Sequence, residues 1–301
     1  GYSPFVECKQ CGWVPRCQHC DVSLTYHKRT GQMICHYCGS VYEMPQQCPC
    51  CETSDFINKG SGTERIEEQT ARLFPNASIS RMDLDTAKTR GQYQQIIDTF
   101  AQHESDILIG TQMVGKGLDF DSVSVVGILD ADTMLNQPDF RSYERTYHLL
   151  AQVAGRAGRK GHRGTVILQT RSAQSPIIQH VVENDYDALY NEQMEERQLF
   201  RYPPFTRLVF IYLRHRDNDV LQHLADEFAT LLRQTFAHRV LGPDTPPVGR
   251  VASLHIRKLI LKMEPNASVT TVRQLLTSLT HQFLSRPYTT NLNIYFDVDP
   301  M

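Results

Sequence analysis

The sequence predicts an α/β chain in three parts: a small Cys-rich metal module, a middle domain on a parallel sheet, and a C-terminal α+β domain of split βαβ order. Three observations predict it. All nine cysteines of the 301 residues lie between Cys8 and Cys51. From Gly60 to Leu168, short apolar runs alternate with amphipathic stretches, as strands and helices do in βαβ units. From Leu208 to Val298 the pattern reads strand, helix, strand, strand, helix, strand. The expected boundaries are 1–57, 58–198 and 199–301, with the charged helix Asp185–Leu199 as linker and Tyr202-Pro203-Pro204 as punctuation.

Composition agrees with a folded chain. Hydrophobic residues are 41% and charged residues 21%, outside the range of disordered segments. No apolar run approaches the ~18 residues of a membrane span. The chain opens on Gly1 with no signal-peptide pattern, which reads as a processed chain or a portion of a longer one. The net charge of −2 hides an asymmetry: residues 199–301 carry twelve Lys/Arg against eight Asp/Glu, and residues 58–198 carry fifteen against twenty. The C-terminal part is therefore the one suited to phosphate or an acidic peptide.

The cysteines come as four knuckles: Cys8-x2-Cys11, Cys17-x2-Cys20, Cys35-x2-Cys38 and Cys48-x2-Cys51, with Cys50 as an extra. Two thiolates at this spacing fit two corners of a tetrahedron around zinc. Eight thiolates make two four-Cys sites, and closed four-Cys sites are structural rather than catalytic. An odd cysteine count and a long Cys-free remainder argue against a secreted disulfide framework. Sequential, interleaved and nested pairings are all conceivable. The interval of 14 residues between Cys20 and Cys35 comes close to zinc-ribbon spacing, and only five residues separate Cys11 from Cys17. The nested pairing is thus preferred: Cys17, Cys20, Cys35 and Cys38 inside, Cys8, Cys11, Cys48 and Cys51 outside. His19, His27 and His36 read as ordinary surface residues. Trp13, Tyr26, Tyr37 and Tyr42 read as the small core of the module.

In the middle part the expected helices are Thr63–Phe74, Tyr93–Gln102 and Glu144–Ala157. The expected strands are Ser78–Met82, Asp106–Ile109, Val123–Leu129 and Gly164–Leu168, as in buried parallel strands. One segment imitates a phosphate-binding loop. Gly110 to Lys116 matches G-x4-G-K, but the next residue is Gly117, which has no hydroxyl for Mg²⁺. Farther on, Gln152-x2-Gly155-Arg156-x-Gly158-Arg159 ends a helix. Its arginines, three apart, share one side, and their guanidinium forks suit phosphate oxygens. Its glycines let a partner approach the backbone closely.

Together, Gly110-Thr111-Gln112 with Lys116-Gly117-x-Asp119, followed by the Gln152–Arg159 motif, resemble motifs V and VI of superfamily 2 helicases. The four knuckles, Gly60-Ser61-Gly62-Thr63-Glu64, Arg81-x-Asp83-x-Asp85 and the ending Asp297-Val298-Asp299-Pro300 narrow the resemblance to the PriA (primosomal protein N′) family of replication restart helicases. It covers essentially the whole chain. The resemblance implies that the middle part is the second of two RecA-like lobes, with the Cys module inserted at its start and its knuckles nested. It implies that Gln152, Arg156 and Arg159 face the nucleotide, with Arg159 the arginine finger and Gly155 and Gly158 beside it. Gly110, Thr111 and Asp119 would couple nucleic acid to ATP. The cradle for ATP and Mg²⁺ would lie on a first lobe that this chain does not resemble. The implied activity is 3′→5′ unwinding at stalled forks, in the cytoplasm. Branched or single-stranded DNA, the C-terminal tail of single-stranded DNA-binding protein, and primosome and replicative-helicase-loading proteins are the implied partners.

In the C-terminal part the expected elements are strands at Leu208–Leu213, near Val240, at Ser253–Met263 and at Asn291–Val298, with helices at Asp219–Phe236 and Val269–Leu284. Strand alternation sends Arg257 to one face and Lys258 and Lys262 to the other. Two rivals stay open: a stand-alone zinc-dependent DNA-binding or scaffolding protein, and an RNA helicase lobe.

Overall fold

The structure is a computed structural model, and it describes residues 5–28, 30–60, 62–83, 86–111, 123–155 and 164–300. The chain divides into two compact units. The first holds Gly1–Trp13, Thr25–Met33 and Glu43–Gln193, and the second holds Val14–Leu24, Ile34–Tyr42 and Met194–Met301. The Cys-rich segment is therefore shared: its outer knuckles belong to the first unit and its inner knuckles to the second.

Five short strands mark that segment: β1 (Phe5–Cys8), β2 (Thr25–His27), β3 (Gln32–Ile34), β4 (Val41–Glu43) and β5 (Phe56–Lys59). β1 and β5 pair antiparallel with Cys8 opposite Phe56, so the two ends of the segment are clasped together in the first unit. Trp13 lies 6.5 Å from the Phe56 ring.

The rest of the first unit alternates helix and strand: α1 (Thr63–Leu73), β6 (Ile79–Met82), α2 (Arg90–Ala101), β7 (Ile107–Gly110), β8 (Val125–Ile128), the short α3 (Asp132–Leu135), α4 (Ser142–Ala154), β9 (Thr165–Leu168), α5 (Pro176–Glu183) and the start of α6 (Tyr186–Leu199). Among the described residues the strands form two parallel pairs, β6 with β7 and β8 with β9. Parallel pairing is as expected, whereas full burial is not. Val125 and Ile167, on β8 and β9, are more than half exposed. α2 starts before Tyr93 because Thr89 and Gln92 form a capping box. Its Tyr93, Ile96, Ile97 and Phe100 pack around buried Met82. α5 was not expected from the sequence. Ser175-Pro176 opens it and a left-handed Asn184 closes it, and its Ile177 and Ile178 bury against Tyr147, Leu150 and Leu189.

The second unit contains β10 (Arg207–His215), α7 (Asn218–Phe236), β11 (Val240–Asp244), β12 (Arg250–Val251), β13 (Leu254–Met263), α8 (Val269–Leu284) and β14 (Asn293–Val298). Its sheet runs β11-β13-β10-β14, all antiparallel, with β12 folded back on β13. That is the split βαβ order. Alternation along β10 sends Val209, Ile211 and Leu213 into a core with Leu224, Phe228 and Leu232 of α7 and Phe283 of α8. Phe228 and Phe283 are fully buried with ring centroids 4.9 Å apart. Phe228→Ala should lower unfolding free energy by about 3–5 kcal/mol, read as a shift in denaturation midpoint. A loss under about 1 kcal/mol would show that this core can collapse around the change. The expected split of the β13 cations is present. Arg257 is buried and donates to Gln222 and Asn218 of α7, while Lys258 and Lys262 lie over the Phe210 and Tyr202 rings.

Candidate metal centres

Every knuckle begins with the same turn. The N–H of its first cysteine donates to the carbonyl five residues on: Cys8 to Trp13, Cys17 to Val22, Cys35 to Ser40 and Cys48 to Thr53, at 2.7–3.0 Å. Gly12 and Gly39 follow second cysteines with φ of 75°, a conformation that glycine adopts without strain. These turns bring the thiols into two groups: Cys8, Cys11, Cys48 and Cys51 in the first unit, and Cys17, Cys20, Cys35 and Cys38 in the second. Within each group all sulfurs lie within 4.8 Å of one another. The nested pairing is the one the structure contains.

The donor set fits zinc. Zinc–sulfur bonds of about 2.3 Å in a tetrahedron place the sulfurs about 3.8 Å apart. The Sγ atoms of Cys8 and Cys51 are 3.5 Å apart, as are those of Cys11 and Cys48, and those of Cys17 and Cys38 are 3.6 Å apart. Four thiols this close cannot all ionise without a cation. Burial pushes the Cys20 thiol up to about 12, while the Ser40 hydroxyl and N–H hold Cys38 down to about 6. A divalent ion would remove that competition and favour four thiolates. Tyr42 supports the inner group: its hydroxyl is 3.4 Å from Cys17 Sγ and accepts the Gln18 N–H.

Cys50 is exposed and belongs to neither group; its N–H donates to Cys48 Sγ at 3.4 Å. His36 is exposed, and His27 is half-buried. His19 is exposed but its ring is bonded to Ser253. Tyr37 departs from the expected small core: it is 57% exposed, because it occupies the free tip of its knuckle between Cys35 and Cys38.

The nucleotide-facing and coupling positions are only partly described. Gly110 ends β7 opposite Met82, at the carboxyl end of a parallel strand, and exposed Thr111 follows it. Gln152 is exposed on the last turn of α4. Gly155 caps that helix through its N–H to Ala151 O, and a Cβ there would press on the same carbonyl at 3.3 Å. Asp119, Arg156, Gly158 and Arg159 lie outside the described residues, as do Ser61, Asp85, Lys116 and Gly117.

The segments around Thr63 and Asp83 meet in a way the sequence did not disclose. Asp83, 5% exposed, accepts the Thr63 hydroxyl and the Thr86 N–H, and Arg81 lies 3.4 Å from both Asp83 and Glu67. This network pins the start of α1 to the end of β6.

Comparison with known proteins assigns these parts. Three protein-family models match in chain order. They are described as the PriA DNA helicase Cys-rich region domain (residues 17–41), the helicase conserved C-terminal domain (residues 53–161) and the primosomal protein N C-terminal domain (residues 198–301). The chain is 39% identical over 264 residues to the replication restart protein PriA of Bacillus subtilis, covering 87% of this chain and 33% of that protein. To those of Treponema pallidum and Haemophilus influenzae it is 37% and 33% identical, over 100% of this chain and 45% and 41% of theirs. It thus spans a third to under half of the curated relatives it matches. With a Cys-rich module, a helicase lobe and a C-terminal domain all matched in that family's order, the chain belongs to the PriA family of replication restart proteins.

Proposed function

We propose that this chain is the zinc-binding, second-lobe and C-terminal portion of an ATP-dependent 3′→5′ DNA helicase that binds branched DNA and restarts stalled forks by primosome assembly. The observation that carries the reading is the unbroken order of three family matches over a chain that holds both four-Cys groups. The working parts are 1–57, 58–198 and 199–301. Two zinc ions, one on each four-Cys group, would supply folding energy rather than chemistry.

Bound ATP and Mg²⁺ would supply the phosphoryl group and neutralise its charge. On this chain, Arg156 and Arg159 would hold negative charge on the triphosphate oxygens, with Gln152 orienting and Gly155 and Gly158 leaving room. Gly110, Thr111 and Asp119 would tie nucleic acid to that cleft. Single-stranded DNA, the acidic tail of single-stranded DNA-binding protein, and primosome and helicase-loading proteins are the proposed partners, in the cytoplasm. No helix among the described residues is long and apolar enough to cross a membrane.

A fluorescence titration of the 301-residue chain against forked and single-stranded DNA tests the reading. Binding should weaken steeply as salt rises from 50 to about 200 mM, since each phosphate neutralised adds to the slope. Absent binding would leave a scaffold without DNA contact, and binding flat with salt would remove the phosphate contacts from the reading.

A further inference from the structure

Three of the four knuckles close on themselves. The residue after the second cysteine has left-handed backbone, and its N–H returns to the first cysteine's carbonyl: Gly12 to Cys8, Gly39 to Cys35 and Glu52 to Cys48, at 2.8–2.9 Å. The Cys17–Cys20 knuckle closes on another part of its unit. The Asp21 N–H donates to Arg250 O at 2.8 Å, and the Ser253 N–H donates to His19 O at 2.7 Å. His19 Nδ1 and Ser253 Oγ are 3.0 Å apart, and the Ala252 N–H points at Cys20 Sγ from 3.3 Å. Cys20 is fully buried, so water does not offer that sulfur a substitute donor.

Ala252 and Ser253 are the two turn residues between β12 and β13, where Val251 pairs with Leu254. Both have positive φ, 50° and 64°. Two-residue hairpin turns of this kind favour Asn-Gly, and Ala and Ser fit them with strain. The turn thus keeps residues poorly suited to its own conformation while aiming one N–H at a metal-site sulfur and one hydroxyl at its knuckle.

We propose that Ala252 and Ser253 are positioning residues of the inner metal site, so that the C-terminal domain and the inner knuckles hold their metal as one unit. The inference rests on the reading that this four-Cys group binds zinc. An N–H aimed at a thiolate offsets its charge and fixes its direction. Loss of such outer partners commonly weakens metal affinity by about 10–100-fold.

The test uses the full chain loaded with zinc and competed against a chromophoric chelator. Wild type should release two zinc ions. Ala252→Pro deletes the N–H and, with φ held near about −65°, also forbids the turn's positive φ; it should weaken one of the two by about 10–100-fold through both losses, leaving the other unchanged. Ala252→Gly keeps the N–H, accepts the positive φ, and should hold both ions as wild type does. Ser253→Ala leaves the backbone intact and should show a smaller loss at the same ion. Amide exchange at Ile256, whose N–H bonds Gly249 O, reports whether the hairpin persists in each variant. Unchanged affinity in both Ala252→Pro and Ser253→Ala, or equal weakening of both ions, would overturn the proposal. A wild-type chain that binds fewer than two zinc ions would instead defeat the underlying metal reading, and this one with it.

Discussion

Chelation of the zinc-loaded chain is expected to unfold residues 8–51 while helices α1, α2 and α4 keep their amide protection. Apart from its cysteines, the segment's buried hydrophobic side chains among the described residues are Leu24 and Met33. A core that small cannot offset its chain entropy. Structural zinc contributes about 10–16 kcal/mol in small modules, as much as the whole stability of a typical domain. Loss of metal therefore decides the fold of this segment, whereas α2 and α4 pack on apolar clusters that contain no cysteine. Amide exchange followed by mass spectrometry reads both at once. Zinc content also separates the pairings. The double variant Cys8→Ser with Cys48→Ser should keep one ion, because both residues belong to one group. Sequential or interleaved pairing would place them in different sites and leave none. Cys50→Ser should keep both ions.

In a full-length PriA-family protein carrying this chain, Arg159→Ala is expected to reduce DNA-stimulated ATP hydrolysis by about 10³–10⁵-fold. A guanidinium reaching the triphosphate acts where charge develops during phosphoryl transfer, and no water replaces it equally in a closed cleft. Fork binding and zinc content should stay near wild type, since the substitution replaces neither a cysteine nor one of the proposed coupling residues. Lys116→Ala makes the complementary case. Gly117 offers no hydroxyl to Mg²⁺, so nucleotide affinity should persist without Lys116. If the 301-residue chain alone hydrolysed ATP and Lys116→Ala stopped it, Gly110–Gly117 would be a working phosphate loop and the arginines' role would need reassignment.

What the sequence disclosed follows from how local each cause is. Four C-x2-C knuckles announce two four-Cys sites because two thiols three residues apart have few other uses. Val209, Ile211 and Leu213 announce a half-buried strand because their alternation is local. The helix at Pro176–Glu183 carried a readable start in Ser175-Pro176, but its eight residues are too few for a strong period. Tyr37 read as core because aromatics usually are; its exposure depends on which side of the knuckle faces solvent. The Asp83 network joins positions 20 residues apart, and the Ala252 contact to Cys20 joins positions 232 apart. Neither leaves a periodic or compositional trace, so both became visible only in three dimensions. Gly110, Thr111, Gln152 and Gly155 were legible as motifs through resemblance, not from chemistry local to each residue.

The most direct test of the central claim is ATP hydrolysis by the full-length protein with forked DNA, single-stranded DNA and an RNA duplex of equal length. A replication restart helicase should be stimulated by the DNA substrates, most by the fork, and not by the RNA duplex. Equal or greater stimulation by RNA, or none by the fork, would contradict the account.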